Sequence, residues 1–200
     1  MIIIGLCGSS GSGKGYVCEK FAEHGVAYID TDLVYREKVL TDEKCISELV
    51  LYFGNGILEN GSVSKARLAG MVFEGEGSLI KLKKLNEITH KFIRVKTLEI
   101  VYLYESQGYS AVLIDAPVLF ESGFDAMCHV TICVTAPKDV KLDRIMKRDG
   151  ISQAKAEARL NSQLSDSELR KRCTYEIDNS GKIPFDCQVD NILKDLKIEK

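Results

Sequence analysis

The amino-acid sequence predicts an α/β fold built on a doubly wound parallel sheet. Helix-type and strand-type hydrophobic patterns alternate along most of its 200 residues, which is typical of strands joined by helical crossovers. The chain opens with a short apolar run at 2–6, the pattern of a strand buried on both faces. A glycine-rich segment follows directly and leads into a helical pattern. These features predict a first strand, a tight loop and a first helix in immediate succession.

The other elements are predicted in chain order from the same hydrophobic periodicities. Further strands are expected at 26–29, 111–115 and 130–134, with a weaker one at 174–177. Helices are expected at 14–24, 33–39, 43–52, 64–72, 78–106, 138–148, 152–161, 165–172 and 185–197.

These elements predict a single domain over 1–200, with a core formed by 1–40, 108–146 and 173–200. The segment from about 41 to 107 contains no expected strand and is long for one crossover. It therefore predicts a helical, substrate-binding insertion near the carboxyl ends of the strands, where ligands bind in such sheets. The polar helical stretch at about 147–172 predicts a mobile lid.

Composition excludes several classes of protein. The chain is 45% hydrophobic and 28% charged with a net charge of −2, which argues against a nucleic-acid partner. Its apolar start is too short for a signal sequence or a membrane span. The seven cysteines form no C-x-x-C pair and no zinc-ligand spacing, so we expect reduced thiols in a cytoplasmic protein. A monomer is favoured.

The loop after the first strand carries the most informative motif. Residues 8–14 are GSSGSGK, which matches the phosphate-binding P-loop G-x-x-x-x-G-K-[ST] at every position except the last, where Gly15 replaces the hydroxyl residue. Its glycines let backbone N–H groups approach an anion, and the following helix directs a positive dipole at it. The motif predicts binding of ATP phosphates, with these candidate residues: Gly8, Gly11, Ser12, Gly13, Lys14, Gly15 and Tyr16.

Three carboxylates follow predicted strands. Asp30 and Asp32 come after the second strand, where one acid can accept a proton from a substrate hydroxyl while the other caps the next helix. Loop and capping roles for both are the alternative. Asp115 ends the strand at 111–115, the position of a magnesium-organising carboxylate in P-loop proteins, and it is also a candidate for acceptor binding. An ordinary turn residue before Pro117 is the alternative.

Two pairs of basic residues have i, i+4 spacing. Arg144 and Arg148 share one face of a predicted helix at the edge of the lid and are candidates for neutralising charge on transferred phosphoryl oxygens. Ordinary solvated charges are the alternative. His90 and Arg94 form a polar face within the insertion that is a candidate for acceptor binding, although a lone His is more often structural.

These pieces occur together in one known family. The chain resembles the dephospho-CoA kinases along nearly its whole length, through these stretches: GLCGSSGSGK at 5–14, YIDTD at 28–32, YFGNGIL at 52–58, LNEITHKFIR at 85–94, LIDAPVLFESG at 113–123, RIMKRDG at 144–150 and EIDNSG at 176–181. The resemblance implies transfer of the ATP γ-phosphoryl group to the ribose 3′-hydroxyl of dephospho-CoA.

The resemblance also implies roles for individual residues. Lys14 would hold the ATP phosphates, Asp32 would be the base, and Arg144 or Arg148 would act on the transferring group. Asn179 and Gly181 would lie near the adenine. The acceptor side would be lined by His90, Arg94, Phe120 and Glu121.

Some positions depart from the family pattern. Gly15 and Tyr16 replace two hydroxyl residues, and Lys91 replaces a proline. Mg²⁺ is expected with ATP, bound directly by phosphate oxygens and water molecules, and by Asp115 through a water molecule. Loss of the loop hydroxyl predicts weaker or altered metal use. The alternatives are a nucleoside monophosphate kinase and a catalytically silent ATP-binding relative.

Overall fold

The computed structural model describes residues 1–198, so the last two residues of the predicted core segment 173–200 lie outside it. The strands are β1 (Ile2–Cys7), β2 (Ala27–Asp30), β3 (Leu58–Glu59), β4 (Ser62–Val63), β5 (Ala111–Asp115), β6 (Val130–Thr135) and β7 (Tyr175–Asp178). The α-helices are α1 (Lys14–Glu23), α2 (Thr31–Val34), α3 (Glu43–Phe53), α4 (Lys65–Phe73), α5 (Ser78–Ser106), α6 (Lys138–Asp149), α7 (Gln153–Asn161), α8 (Asp166–Arg172) and α9 (Phe185–Asp195).

The chain divides into two compact units. One comprises Met1–Ile29 and the chain from Tyr104 onward, and the other comprises Asp30–Leu103. The second unit corresponds to the predicted insertion but begins earlier than residue 41. Among the helices of residues 1–198, none has the length and apolarity needed to cross a membrane.

The first unit is organised by a five-stranded sheet in the order β2-β5-β1-β6-β7. The β1–β5, β1–β6 and β6–β7 pairs are parallel, which confirms the predicted fold class. Fully buried side chains such as Ile4, Leu113 and Ile132 account for the apolar runs in the sequence. Val17 and Phe21 of α1 pack against this sheet in the same core cluster, and burying a side chain of the size of Phe21 stabilises by about 2–3 kcal/mol.

Strand register brings the site-forming ends of the strands together. Leu6 is the register partner of Asp115, and Cys7 is the partner of Cys133. Because the strands run parallel, the segments that follow β1, β5, β6 and β7 leave the sheet at one edge. The loop that begins at Gly8 is therefore flanked by residues from distant parts of the sequence.

The second unit is mainly helical, with one departure from prediction. Strands β3 and β4 form an antiparallel hairpin in which Leu58 pairs with Val63, so the expectation of no strand in 41–107 is wrong there. Two-residue strands are too short to produce an alternating pattern. The helix predicted at 33–39 begins earlier, as α2, and continues as a π-helix over Tyr35–Val39.

Candidate active site

The loop between β1 and α1 has the backbone that its glycines predict. Gly11 and Gly13 have φ values of 78° and 103°, in the left-handed region that disfavours side chains. A Cβ at Gly11 would lie 2.6 Å from the Lys141 carbonyl oxygen, and one at Gly13 would lie 2.2 Å from Asn179 Nδ2. These two glycines are required both by backbone conformation and by close packing.

Two side chains from distant parts of the sequence hold carbonyl oxygens of this loop. Arg144 Nη1 donates to the Gly11 and Ser12 carbonyl oxygens at 3.0 and 3.3 Å. Asn179 Nδ2 donates to the Ser12 oxygen at 2.8 Å. Since the C=O and N–H of a trans peptide point in opposite directions, holding the Ser12 carbonyl directs the Gly13 N–H to the other side of the loop. We call Arg144 and Asn179 the loop brace.

A third support comes from a buried ion pair that the sequence did not indicate. Lys141 is 7% exposed, and its Nζ donates to Ser9 Oγ at 3.0 Å and to Asp166 Oδ1 at 2.8 Å. The Ser10 N–H donates to Gln163 Oε1 at 2.9 Å. Residues of the predicted lid therefore contact the loop directly. Lys141 lies three residues before Arg144 on α6, so the two side chains share one face of that helix. This spacing is the sequence feature that could have indicated a position for Lys141 near the loop.

Lys14 begins α1, as the motif predicts. Its Nζ donates to the Gly8 carbonyl oxygen at 3.0 Å, so the ammonium group lies across the loop. Gly15 and Tyr16 are exposed in the first turn of α1. A Cβ at Gly15 would have no other atom within 4 Å, so packing does not demand glycine at this position. The Tyr16 ring lies edge-on to Phe185 of α9, with ring centroids 4.6 Å apart.

Asp115 ends β5 beside the last residues of β1, as predicted. Its carboxylate is half-buried, and Oδ2 lies 4.0 Å from the Cys18 thiol of α1. Burial, and after it the Asp115 charge, raise the pKa of Cys18 to about 12, so that thiol is held neutral. Within residues 1–198 no group of three or more His, Cys, Asp and Glu side chains could hold a metal ion. A cation here would need oxygen atoms from a ligand or water in addition to Asp115.

The predicted lid arginines separate into different environments. Arg144 belongs to the loop brace, whereas Arg148 donates to Asp149 at 2.8 and 3.0 Å with a side chain that is 60% exposed. Arg159 also pairs with Asp149. The structure therefore brings Arg144, but not Arg148, into contact with the loop.

The segment after β5 lines a small cavity beside the loop. The cavity has a volume of about 50 Å³ and is lined by Phe120 and Glu121, by Gly8 and Ser9, and by Gln163. The Phe120 ring lies under the Arg172 guanidinium, 4.4 Å from the centroid. Two of the predicted acceptor residues thus adjoin the phosphate-binding loop.

Asn179 and Gly181 lie in the turn after β7. The Asn179 N–H donates to Thr135 O at 2.8 Å, and the Ser180 N–H and Oγ donate to the Asp178 carboxylate. Gly181 has a φ of 84°. This turn positions the Asn179 amide for its contact with the loop, and a contact with adenine remains a prediction.

In the second unit, the two neighbouring carboxylates have different roles. Asp30 Oδ1 accepts from the Asp32 and Leu33 N–H groups at 2.8 and 3.1 Å and so caps α2. Asp32 is exposed in the first turn of that helix. Asp30 is therefore the cap of α2, and Asp32 is not.

His90 and Arg94 lie one turn apart on α5, also in the second unit. His90 is half-buried, and burial followed by the charge of Arg94 lowers its pKa. Lys91 forms an ion pair with Glu48 of α3. Lys91 therefore links two helices of this unit.

The sheet order, the loop after the central strand β1, and the loop brace from α6 and the turn after β7 define a P-loop protein of the kinase type. A sequence model of the dephospho-CoA kinases matches residues 2–184. The dephospho-CoA kinase of Lactobacillus johnsonii is 33% identical over 181 residues, which are 90% of this chain and 90% of that protein. The chain therefore belongs to the dephospho-CoA kinase family.

Solved structures share the architecture. The crystal structure of TT1252 from Thermus thermophilus is similar with a TM-score of 0.76 and 29% identity, covering 98% of this chain and 97% of that one. Dephospho-CoA kinase from Campylobacter jejuni is similar in fold, with a TM-score of 0.69 at 24% identity, covering 97% of this chain and 96% of that one.

Proposed function

We propose that the protein transfers the γ-phosphoryl group of ATP to the ribose 3′-hydroxyl of dephospho-CoA, giving ADP and CoA. The observation that carries this proposal is the braced P-loop in a chain of this family. A new bond forms between the 3′-oxygen and the γ-phosphorus, and the bond from that phosphorus to the ADP oxygen breaks. Positioning and electrostatic stabilisation are the main contributions of a protein to such a transfer.

Lys14 and the loop N–H groups bind the ATP phosphates in this proposal. The Lys14 ammonium, which contacts the Gly8 carbonyl oxygen, moves to the β- and γ-phosphates when ATP enters. Arg144 holds the loop and supplies positive charge for the transferring group, because a guanidinium has five N–H donors. Asn179 and Gly181 form the adenine side of the site. Arg148 acts only if the lid moves it away from Asp149.

Asp32 is proposed as the general base. Asp30 is engaged as the cap of α2, and Asp32 takes the proton of the attacking hydroxyl. His90, Arg94, Phe120, Glu121 and Asp115 are the proposed acceptor-binding residues. The lowered pKa of His90 keeps that ring neutral at pH 7, so it can accept or donate one hydrogen bond without adding charge.

The residues present fit a magnesium ion that is bound mainly by phosphate and water. Asp115 supplies a hard carboxylate oxygen at the carboxyl end of β5, beside the loop. Gly15 supplies no side-chain oxygen. Mg²⁺ neutralises charge on the phosphate oxygens when it is bound. We further propose a cytoplasmic monomer, and the seven free thiols fit a reducing compartment.

The proposal is tested with a panel of acceptors and a pair of Asp variants. Dephospho-CoA should be phosphorylated at its 3′-hydroxyl in the presence of ATP and Mg²⁺. Asp32→Asn should lower turnover by ~10²–10⁴-fold, the usual range for loss of a general base, with little change in ATP affinity. Asp30→Asn is the matched control, because asparagine also caps helices and the cap should persist.

Three outcomes would overturn parts of this assignment. Turnover of a nucleoside monophosphate, with none of dephospho-CoA, would show a different substrate. ATP binding without turnover of any acceptor would show a silent relative. A fully active Asp32→Asn protein would remove that residue from the mechanism.

A further inference from the structure

Three cysteines converge at the start of the phosphate-binding loop, and the proposed reaction uses none of them. Cys7 is the last residue of β1, Cys133 lies in β6, and Cys173 follows α8 directly. Cys7 and Cys133 are register partners on adjacent strands, so their side chains share one face of the sheet. The Sγ atoms of Cys7 and Cys173 are 3.5 Å apart. Two thiols in contact, with a third beside them, form a cluster of nucleophilic groups.

The surroundings distinguish one thiol of the cluster. Hydrogen bonds from the Cys133 and Cys7 thiols lower the pKa of Cys173 against the opposing effect of burial, with smaller lowering contributions from Thr131 and the Arg172 charge. The pKa of Cys7 is raised, because its thiol is hydrogen-bonded to Cys173 and is buried. Thiolates, rather than thiols, are the nucleophiles in sulfur chemistry. Cys173 is therefore the reactive member and Cys7 the protonated neighbour.

A small oxidant can reach the pair. Cys173 is partly exposed, whereas Cys7 is 1% exposed. Cys7 nevertheless lines the cavity of about 50 Å³ together with Gly8 and Leu169. The lining includes Ser9, Glu121 and Gln163, and a volume of about 50 Å³ is large enough for a molecule comparable to water, such as hydrogen peroxide.

We propose that Cys173 and Cys7 form a site of reversible oxidation by hydrogen peroxide. The Cys173 thiolate attacks one peroxide oxygen, the O–O bond breaks, and the released hydroxide takes up a proton to become water. As the Cys7 thiol passes its proton to the sulfenic oxygen, the Cys7 sulfur attacks the sulfenic sulfur as a thiolate. The S–S bond forms, and the sulfenic oxygen leaves as a second water with the Cys7 proton. Two thiols are oxidised and one peroxide is reduced to two waters.

The disulfide changes the anchoring of the loop. The sulfurs must close from 3.5 Å to about 2.05 Å, which draws Cys7 toward the end of α8. Gly8 follows Cys7, and a Cβ at Gly8 would lie only 2.7 Å from the Val134 carbonyl oxygen, so this backbone has little room to move. The Gly8 carbonyl also holds Lys14. We expect the oxidised protein to bind ATP at least ~10-fold more weakly, equivalent to about 1.4 kcal/mol.

Peptide mapping of the intact protein tests the site without reference to kinase activity. After treatment with one equivalent of peroxide, mass spectrometry should find a Cys7–Cys173 linked peptide that dithiothreitol removes. Cys187→Ser deletes an exposed thiol outside the cluster and should leave this peptide in place. Cys173→Ser should abolish it. ATP affinity, measured by calorimetry before oxidation, after oxidation and after reduction, should fall and then recover.

A second measurement on the unaltered protein covers the case in which Cys173→Ser fails to fold. Limiting iodoacetamide at pH 6 should label Cys173 before the exposed Cys187, because a stabilised thiolate reacts first. Faster labelling of Cys187, or a Cys133–Cys173 link in place of the Cys7–Cys173 link, would overturn the assignment. If ATP affinity is unchanged in protein that fully carries the Cys7–Cys173 disulfide, the proposed effect of the disulfide on the loop is refuted. The proposed kinase reaction would not be affected by that result.

Discussion

Gly13→Ala tests whether the loop brace sets the conformation that binds ATP. Gly13 has φ 103° and ψ 25°, in the left-handed region, where a side chain costs about 1–2 kcal/mol. The added Cβ would lie 2.2 Å from Asn179 Nδ2, so the Asn179 amide must move away and lose its 2.8 Å bond to Ser12. Loss of that bond costs about 1 kcal/mol. The total of about 2–3 kcal/mol corresponds to ATP binding that is weaker by roughly 30- to 150-fold.

The assay is calorimetric measurement of the ATP dissociation constant, with thermal unfolding to confirm that each variant is folded. Gly15→Ala is the matched comparison, because its Cβ would meet open space; its ATP affinity should change by no more than about twofold. Gly13→Ala/Asn179→Ala should lose less ATP affinity than the sum of the two single losses, since the alanine at position 13 has already broken the bond of Asn179 to Ser12 and only the proposed adenine contact of Asn179 is left to lose. Binding by Gly13→Ala within threefold of the parent, or fully additive losses in the double variant, would refute the reasoning.

Three further predictions concern the metal, the pH dependence and the support of the loop. In Gly15→Ser the new side chain enters open space. The Mg²⁺ concentration for half-maximal activity should fall about two- to tenfold, which corresponds to the free energy of one polar contact. An unchanged Mg²⁺ concentration for half-maximal activity in a magnesium titration would exclude a role for the hydroxyl. The lowered pKa of His90 means that the unfolded state binds more protons, so the free energy of unfolding should fall as the pH drops from 7 to 5. In urea unfolding, His90→Gln should show a smaller fall, and equal falls would contradict this. Lys141→Met leaves Asp166 without its buried partner and should lower the free energy of unfolding by about 2–4 kcal/mol. Lys147→Met is the control, because its ion pair is exposed, and it should lower that free energy by less than about 0.5 kcal/mol. Similar losses for the two variants would show that burial is not the cause.

Local patterns in the sequence were sufficient for most of the fold. Apolar runs located β1, β5 and β6, and the helical periodicity of 78–106 matches α5 over its full length. The β3–β4 hairpin was missed because strands of two residues have no periodicity. The sequence predicts that either Asp30 or Asp32 caps a helix, and the tertiary structure identifies the cap as Asp30.

The phosphate-binding loop shows where sequence alone stops. Its glycine spacing, Lys14 and the flanking strand and helix determined that the chain has a P-loop, because these properties are local. Which side chains hold the loop was decided by the tertiary structure: Arg144 and Asn179 reach it across 133 and 167 positions of sequence, and the contact of Cys7 with Cys173 spans 166. Parallel strands bring the ends of distant segments to one edge of a sheet, and no local pattern records which side chains meet there.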